Sequence, residues 1–99
     1  SMVTSHIKPF MVCIEERDEE SAYSYENTIL ISIQFDAYFD KADISFDSDG
    51  NILINEAELS KYPEDYKRLK GVKLDARLLT PKRLKYLEWH REKFYKKLK

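Results

Sequence analysis

Residues 80–99, TPKRLKYLEWHREKFYKKLK, carry the strongest structural signal in the chain. Thr80 is a residue type that caps helices, and Pro81 suits the first helical position, so a helix should begin here. At 100° per residue, five apolar side chains then fall in one stripe about 100° wide: Leu84, Leu87, Phe94, Tyr95 and Leu98. The stretch therefore predicts a long amphipathic helix that docks on a sheet through this stripe.

Arg91 also falls inside the apolar stripe. A buried guanidinium requires charge compensation, so we expect Arg91 to form an ion pair with a carboxylate of the N-terminal half. Truncation of Leu87 or Phe94 to alanine should cost about 2–5 kcal/mol of stability if these side chains are buried.

The opposite face of this helix collects lysines around two aromatic rings. We call its seven residues the basic face: Lys82, Lys85, Tyr86, Trp89, Lys93, Lys96 and Lys97. Lysines attract phosphates and aromatic rings stack on unpaired bases, which suits single-stranded nucleic acid. An acidic groove of a protein would accept the same face. Alternatively, Trp89 packs against another element and the lysines line an ordinary solvated surface.

Upstream of residue 80, four or five short segments predict the strands of the sheet. Residues 10–14 are apolar on both faces, which is typical of a covered strand, and residues 28–35 alternate in the manner of a half-buried one. The segments around residues 44–46 and 52–54 flank DSDGN, a turn-forming sequence, and therefore predict a hairpin. Residues 72–76 could add a last strand.

Short helices are expected between the hairpin and residue 72. Asn55 followed by Glu58 is a capping-box pattern, Pro63 suits a second helix start, and Gly71 is a natural stop. Residues 15–25 are dense in charge, lack periodicity and predict a solvated loop. Residues 2–99 should thus form one α+β domain. We expect a small antiparallel sheet of about four strands, with the long C-terminal helix and one or two short helices packed on one face.

Charge is divided unevenly along the chain. Residues 1–65 contain 4 Lys/Arg and 15 Asp/Glu, a net of −11, whereas residues 66–99 contain 13 and 3, a net of +10. Either the two sets pack together and screen each other, or they form segregated binding faces. We call the candidate set of the first half the acidic face: Glu15, Glu16, Asp18, Glu19, Glu20, Asp36, Asp40 and Asp43.

Composition indicates a packed protein of a reducing compartment. The chain is 42% hydrophobic and 13% aromatic, with 2 Gly and 3 Pro, which excludes disordered and collagen-like classes. The lone Cys13 cannot form an internal disulfide. No apolar run approaches the roughly 20 residues that a bilayer requires. We expect a cytoplasmic or nuclear location, without secretion or membrane insertion.

The sequence contains few residues in the patterns that bind metals or cofactors. The segment SFDSDGNILINE, from Ser45 to Glu56, resembles the calcium loop of the EF-hand family at its third, fifth, sixth, eighth and twelfth positions. However, Ser45 replaces the usual first Asp and the flanks alternate like strands, so a hairpin turn is the preferred interpretation. His6, His90 and Cys13 cannot supply a structural zinc site without carboxylate help. We expect no metal, no cofactor and no catalytic residues.

Two functions remain open for this sequence. The first is a protein-interaction module of the inhibitor, immunity or adaptor type, in which a charged face meets an oppositely charged protein partner. The second is nucleic-acid binding by the basic face, which the net negative charge of residues 1–65 opposes. An enzyme is not expected, since no phosphate-binding glycine loop or nucleophile motif is present. The oligomeric state stays open.

Overall fold

The computed structural model describes residues 1–99 and has an α+β fold, with two antiparallel sheets of two strands each and a long C-terminal helix. The strands are β1 (Met2–His6), β2 (Thr28–Ser32), β3 (Ile44–Phe46) and β4 (Ile52–Ile54). The helices are α1 (Phe10–Glu15), α2 (Glu19–Tyr23), α3 (Ile33–Asp40), α4 (Glu56–Leu59), α5 (Pro63–Leu69) and α6 (Pro81–Leu98). Short 3₁₀ turns occupy Tyr25–Asn27 and Ala76–Leu78.

The first sheet pairs β2 with β1, a strand that the sequence analysis did not assign. The two run antiparallel from the pair Met2 and Ser32 to the pair His6 and Thr28. Within β2, Ile29 and Ile31 are buried, while Leu30 between them points to the other side and is exposed. The strand predicted from residue 28 is therefore confirmed in its first five residues.

The assignment of residues 33–35 to that strand was wrong, because these residues begin α3. Ser32 ends the strand and caps the helix, its hydroxyl accepting a hydrogen bond from the N–H of Gln34 at 3.3 Å. Apolar residues at positions 33 and 35 fit a strand or a helix, and the local cap decides between them.

The strand predicted at residues 10–14 was also wrong, since this segment forms α1. Pro9 precedes the first turn with φ of −55°, and its carbonyl accepts a hydrogen bond from the N–H of Cys13 at 3.1 Å. Cys13 is the one fully buried residue of the helix. A short continuous apolar run does not by itself distinguish a strand from a covered helix.

The charged segment predicted as a loop contains α2. The Asp18 carboxylate caps this helix by accepting a hydrogen bond from the N–H of Ser21 at 3.1 Å. Glu19 and Glu20 lie in the first turn, where the partial positive charge of a helix start stabilises carboxylates. The neighbouring carboxylates, which were expected to repel each other in a solvated loop, therefore stabilise the start of α2.

The second sheet is the predicted hairpin of β3 and β4. In its turn, Gly50 adopts φ of +85°, and the Asp47 carboxylate accepts hydrogen bonds from the N–H groups of Asp49 and Asn51 at 2.9 and 2.8 Å. The acidic oxygens of the calcium-loop-like segment thus hold the turn itself.

The strand predicted at residues 72–76 was wrong, since only a single bridge forms there, between Asn51 and Lys73. Two hydrogen bonds flank it, from the N–H of Ile52 to the carbonyl of Val72 at 3.1 Å and from the N–H of Leu74 to that of Gly50 at 2.8 Å. The predicted sheet of about four strands is therefore replaced by two separate two-stranded sheets.

The helix starts predicted downstream of the hairpin are confirmed. Asn55 accepts a hydrogen bond from the N–H of Glu58 at 3.4 Å, and Pro63 is the first residue of α5. Gly71 follows the end of α5 with φ of +82°. Thr80 caps α6 by accepting a hydrogen bond from the N–H of Arg83 at 3.2 Å.

Helix α6 docks through a face that is rotated from the predicted stripe. Leu87 and Phe94 are buried as predicted, whereas Tyr95 and Leu98 are 50% and 48% exposed. The buried face instead includes three polar side chains: Arg83, Tyr86 and His90. The sheet and the helices around α6 therefore supply hydrogen-bond partners as well as apolar contacts.

The predicted ion pair of Arg91 with a carboxylate was wrong. Its guanidinium donates a hydrogen bond to the carbonyl of Phe46 at 2.9 Å, and no carboxylate lies within salt-bridge distance. The guanidinium that is fully buried belongs to Arg83. It donates at 3.0, 2.9 and 3.3 Å to three backbone carbonyl oxygens, those of Thr28, Leu78 and Tyr25.

One hydrophobic cluster joins the two sheets and α6. It contains Ile29 and Ile31 from β2, Ile44 and Phe46 from β3, and Leu87 from α6. None of the helices combines the length and the apolar character needed to cross a membrane.

Candidate interaction surfaces

The basic face lies along the flank of α6 that borders the segment before α1. Trp89 is partly buried, and the ammonium groups of Lys8 and Lys93 lie 5.7 and 5.2 Å from its ring centroid. Both distances allow cation–π attraction. Trp89 is therefore neither a core residue nor a free surface ring.

Two lysines of the basic face pair with residues of the acidic face. The Lys82 ammonium lies 2.8 Å from the Glu20 carboxylate, and that of Lys97 lies 2.8 Å from the Asp43 carboxylate. These contacts tie the two ends of α6 to the acidic half of the chain. Three lysines of the face stay exposed without a carboxylate partner: Lys85, Lys93 and Lys96.

Tyr86 does not lie on the open part of the basic face. It is 8% exposed, and its hydroxyl donates a hydrogen bond to Ser21 Oγ at 2.8 Å. Its placement on the basic face was wrong because Tyr86 packs against Ser21 of α2. That segment had been predicted as a solvated loop, which gave no reason to expect it over Tyr86. The remaining six residues of the face share one flank of the helix.

A cavity of about 340 Å³ opens beside Trp89. Its lining includes three lysines, at positions 41, 93 and 97, together with the carboxylate of Asp40. Lys97 also donates to the carbonyl of Lys41 at 2.8 Å, at the carboxyl end of α3. The cavity thus combines an aromatic wall with mixed charge.

Part of the acidic face is neutralised where α1 and α2 meet the rest of the protein. The Glu16 carboxylate pairs with Lys8 at 2.5 Å, and Glu20 pairs with Lys82. Asp18 is occupied as the cap of α2, and the hydrogen bonds from Ser21 lower the pKa of its carboxyl. The exposed carboxylates without a partner in this segment are Glu15 and Glu19.

The other three residues of the acidic face have different surroundings. Asp43 is 3% exposed and accepts a hydrogen bond from the Asn55 amide at 3.1 Å, so its placement on an open face was wrong. Burial raises the pKa of the Asp40 carboxyl, and the charge of Asp36 adds to this effect. One oxygen of Asp36 is buried without a hydrogen-bond partner.

His90 and Ser45 form a buried pair beneath α6. Ser45 Oγ lies 2.7 Å from His90 Nδ1, and His90 Nε2 lies 2.7 Å from the carbonyl oxygen of Phe39. A carbonyl only accepts, so the proton is on Nε2 and Nδ1 accepts from the Ser45 hydroxyl. The imidazole also stacks on Phe39 with 3.9 Å between ring centroids. Ser45 is 0% exposed, so this serine–histidine contact is closed to any substrate.

A surface that the sequence analysis missed lies along β2. We call it the edge groove, a cavity of about 200 Å³ lined by 12 residues of which 11 are hydrophobic. Its open part is formed by Met2, Leu30 and Val72, which are 56%, 62% and 37% exposed. The groove was missed because β1 was unassigned and residues 72–76 were placed in a sheet that would have covered these side chains.

No protein-family model matches this chain, and no curated protein matches its sequence.

Proposed function

We propose that this chain is a small protein-interaction module of the inhibitor, immunity or adaptor type, which recognises a protein partner through charged faces and not by catalysis. The observation that carries this proposal is the mixed charge of the exposed surface around α6. On its outer side the glutamates at positions 88 and 92 lie between the lysines at positions 85 and 96, and all four are exposed.

This pattern favours a protein over a phosphate backbone as the partner. A nucleic acid presents one sign of charge, so Glu88 and Glu92 would repel it where Lys85 and Lys96 attract it. A protein surface with both signs can match the pattern residue by residue, which favours the correct partner and disfavours others. The partly buried Trp89 beside these charges adds an aromatic anchor of the kind that is enriched in protein interfaces.

Two features support a role without catalysis. The only serine–histidine contact is buried, and its histidine is held as a neutral hydrogen-bonded core residue. Asp40 of α3 accepts a hydrogen bond from the Ser5 hydroxyl at 3.4 Å, and no histidine bonds that hydroxyl as a general base would.

Nucleic-acid binding is a second candidate because of the cavity beside Trp89. A ring wall with lysines at positions 41 and 93 suits a base stacked on the aromatic and a phosphate beside the ammonium groups. This alternative requires that the contacts of Lys8 and Lys93 with the ring open to admit the base.

The test compares a charge-reversed basic face with a matched control. Chemical cross-linking in cell extract captures a partner, and its Kd is then measured with purified components at low and moderate salt. We expect Lys93→Glu with Lys96→Glu to raise the Kd about tenfold or more, mainly through slower association. The control, Arg17→Glu with Lys61→Glu, makes the same change in net charge away from α6 and should alter the Kd less than about twofold.

The competing function is tested in parallel with short single-stranded DNA and RNA. Quenching of Trp89 fluorescence that weakens steeply with salt would replace the protein-interaction proposal by nucleic-acid binding. A protein partner whose affinity is equally affected by both double variants would show that net charge alone matters and that the basic face does not.

A further inference from the structure

The outer edge of β2 is an unpaired strand edge. The N–H of Ile7 donates to the carbonyl of Asn27, and that of Ile33 donates to the carbonyl of Ser1. In an antiparallel ladder, hydrogen-bonded and non-hydrogen-bonded pairs alternate, so Leu30 and its partner Thr4 form a non-hydrogen-bonded pair. The backbone N–H and C=O of Leu30 consequently point away from β1, toward the edge groove.

A neighbouring side chain is consistent with this direction. The Arg83 guanidinium donates to the carbonyl of Thr28, two residues before Leu30, from the side opposite to β1. That carbonyl is thus satisfied, whereas the polar groups of Leu30 have no partner within the sheet. A second cavity, of about 620 Å³, borders the same edge and shares Ile29 and Leu30 with the edge groove.

This edge lacks the features that normally prevent strand pairing. Soluble proteins protect free edges with lysines, prolines or covering elements. The five residues of β2, TILIS, contain no charge and no proline, and Leu30 at its centre is exposed. An extended segment added here would find the N–H and C=O of Leu30 free to pair and apolar sites for its own side chains.

The segment that faces β2 across the groove is rich in basic residues. Leu69, Val72 and Leu74 of this segment line the groove. Residues 67–77 also contain five cationic side chains outside the lining, at positions 67, 68, 70, 73 and 77, against the single carboxylate of Asp75. Arg77 is paired with Asp75 at 2.7 Å, and Arg68 donates to the Gln34 amide oxygen. Three lysines of this segment, at positions 67, 70 and 73, are exposed beside the groove and have no carboxylate partner.

We propose that the free edge of β2 and the edge groove bind an extended segment of a partner protein in which apolar residues alternate with Asp or Glu. The segment pairs its backbone with Leu30, places its apolar side chains beside Met2 and Val72, and turns its carboxylates toward the lysines of residues 67–77. This inference rests on the proposed function in one respect, that the partner is a protein, and it assigns a surface separate from the basic face of α6.

The test uses a panel of synthetic ten-residue peptides that alternate Val, Ile or Leu with Asp or Glu. Amide chemical shifts of the full chain are followed during titration. The expected result is saturable binding with the largest shifts at Leu30 and its neighbours. A charge-reversed panel with Lys in place of the acidic residues should bind at least about tenfold more weakly because it would lie beside the lysines of residues 67–77.

Two further controls separate strand pairing from unspecific attraction. N-methylation of the peptide residues that face β2 removes their donors and should abolish binding if the backbone ladder is required. Leu30→Glu changes an exposed side chain and should weaken binding at least about tenfold, while the matched Leu98→Glu, also exposed, should change it less than about twofold.

Several results would overturn the inference. The inference fails if no acidic peptide binds at about 1 mM or if the chemical-shift changes map to α6 instead of β2. It also fails if N-methylated peptides bind as tightly as the unmodified ones. A concentration-dependent dimer with Leu30 in its interface would identify a second copy of the chain as the occupant instead. If the peptides fail while a captured partner responds to Lys93→Glu with Lys96→Glu, this inference is lost and the proposed function stands.

Discussion

Acidification between pH 7.5 and 5.5 should destabilise this protein through His90. The imidazole is 4% exposed, stacked on Phe39 and bonded to Ser45 through the nitrogen that a second proton would occupy. Burial lowers its pKa, and the hydrogen bond to the Phe39 carbonyl only partly opposes this. The unfolded chain therefore binds more protons than the native chain below pH of about 6.5, and stability falls as the pH falls.

The size of the effect follows from this difference in protonation. The upper limit is set by a native His90 that is still neutral at pH 5.5, for which the unfolded state gains RT ln 11 relative to its fully neutral form, roughly 1 to 2 kcal/mol. Most of this loss falls between pH 6.5 and 5.5, above the range in which ordinary carboxylates titrate. The full stabilisation is present above pH of about 6.5 and is lost toward the lowered native pKa.

Urea unfolding followed by circular dichroism at pH 7.5, 6.5 and 5.5 measures this loss. His90→Gln should remove the pH dependence while lowering stability at every pH, and His6→Gln, the matched control at the only other histidine, should leave it intact. Titration of the His90 imidazole by NMR gives a direct check that does not depend on a stable variant. A native His90 that titrates at or above pH 6.5, or a flat free energy of unfolding in the wild type, would refute the reasoning.

Three substitutions test the packing, the hairpin turn and the helix start. Leu87→Ala should cost about 2–5 kcal/mol by chemical denaturation because the side chain is fully buried, and Tyr95→Ala on the exposed side should cost less than about 1. Gly50→Ala should destabilise by more than about 1 kcal/mol, since φ is +85° and the new Cβ would lie 3.2 Å from Leu74, whereas Gly71→Ala meets no atom within 4 Å and should cost less. Thr80→Ala removes the cap of α6 and should lower the free energy of unfolding by about 1 kcal/mol, which is measured as a lower thermal midpoint. Equal losses for the members of either pair, or an unchanged midpoint for Thr80→Ala, would contradict the assigned contacts.

Several helix starts and tight turns were predicted correctly from the sequence, because a side chain and the backbone next to it determine them. Thr80, Asn55 and Pro63 each start a helix as predicted, and Gly50 and Gly71 each adopt the positive φ that their positions suggested. Cap hydrogen bonds and glycine backbone freedom act within a few residues, so they are visible in the sequence.

Apolar runs were less reliable. Residues 10–14 and 33–35 satisfy the pattern of a strand, yet they form helices started at Pro9 and Ser32. Such a short apolar segment has the same composition whether it forms a strand or a helix. The parts of the protein that pack over it decide which of the two it forms.

The role of the candidate surfaces in binding stays a prediction, although the position of their residues on α6 follows from the sequence. Lys82, Trp89 and Lys93 lie on one flank of α6 because helical spacing depends on sequence alone. The burial of Tyr86 and Asp43 depended on distant residues, Ser21 and Lys97, and no periodicity within either segment indicates those contacts.

The sequence by itself determined the α+β class, the hairpin, the long C-terminal helix and the division of charge between its two halves, since these follow from composition, caps and spacing. Tertiary structure alone decided the pairing of β1 with β2, the split into two sheets and the exposed edge at Leu30. It also decided which charges neutralise each other. The physical reason is that long-range pairing and burial depend on which surfaces compete for the same partners, and a linear pattern records the preferences of each segment but not the outcome of that competition.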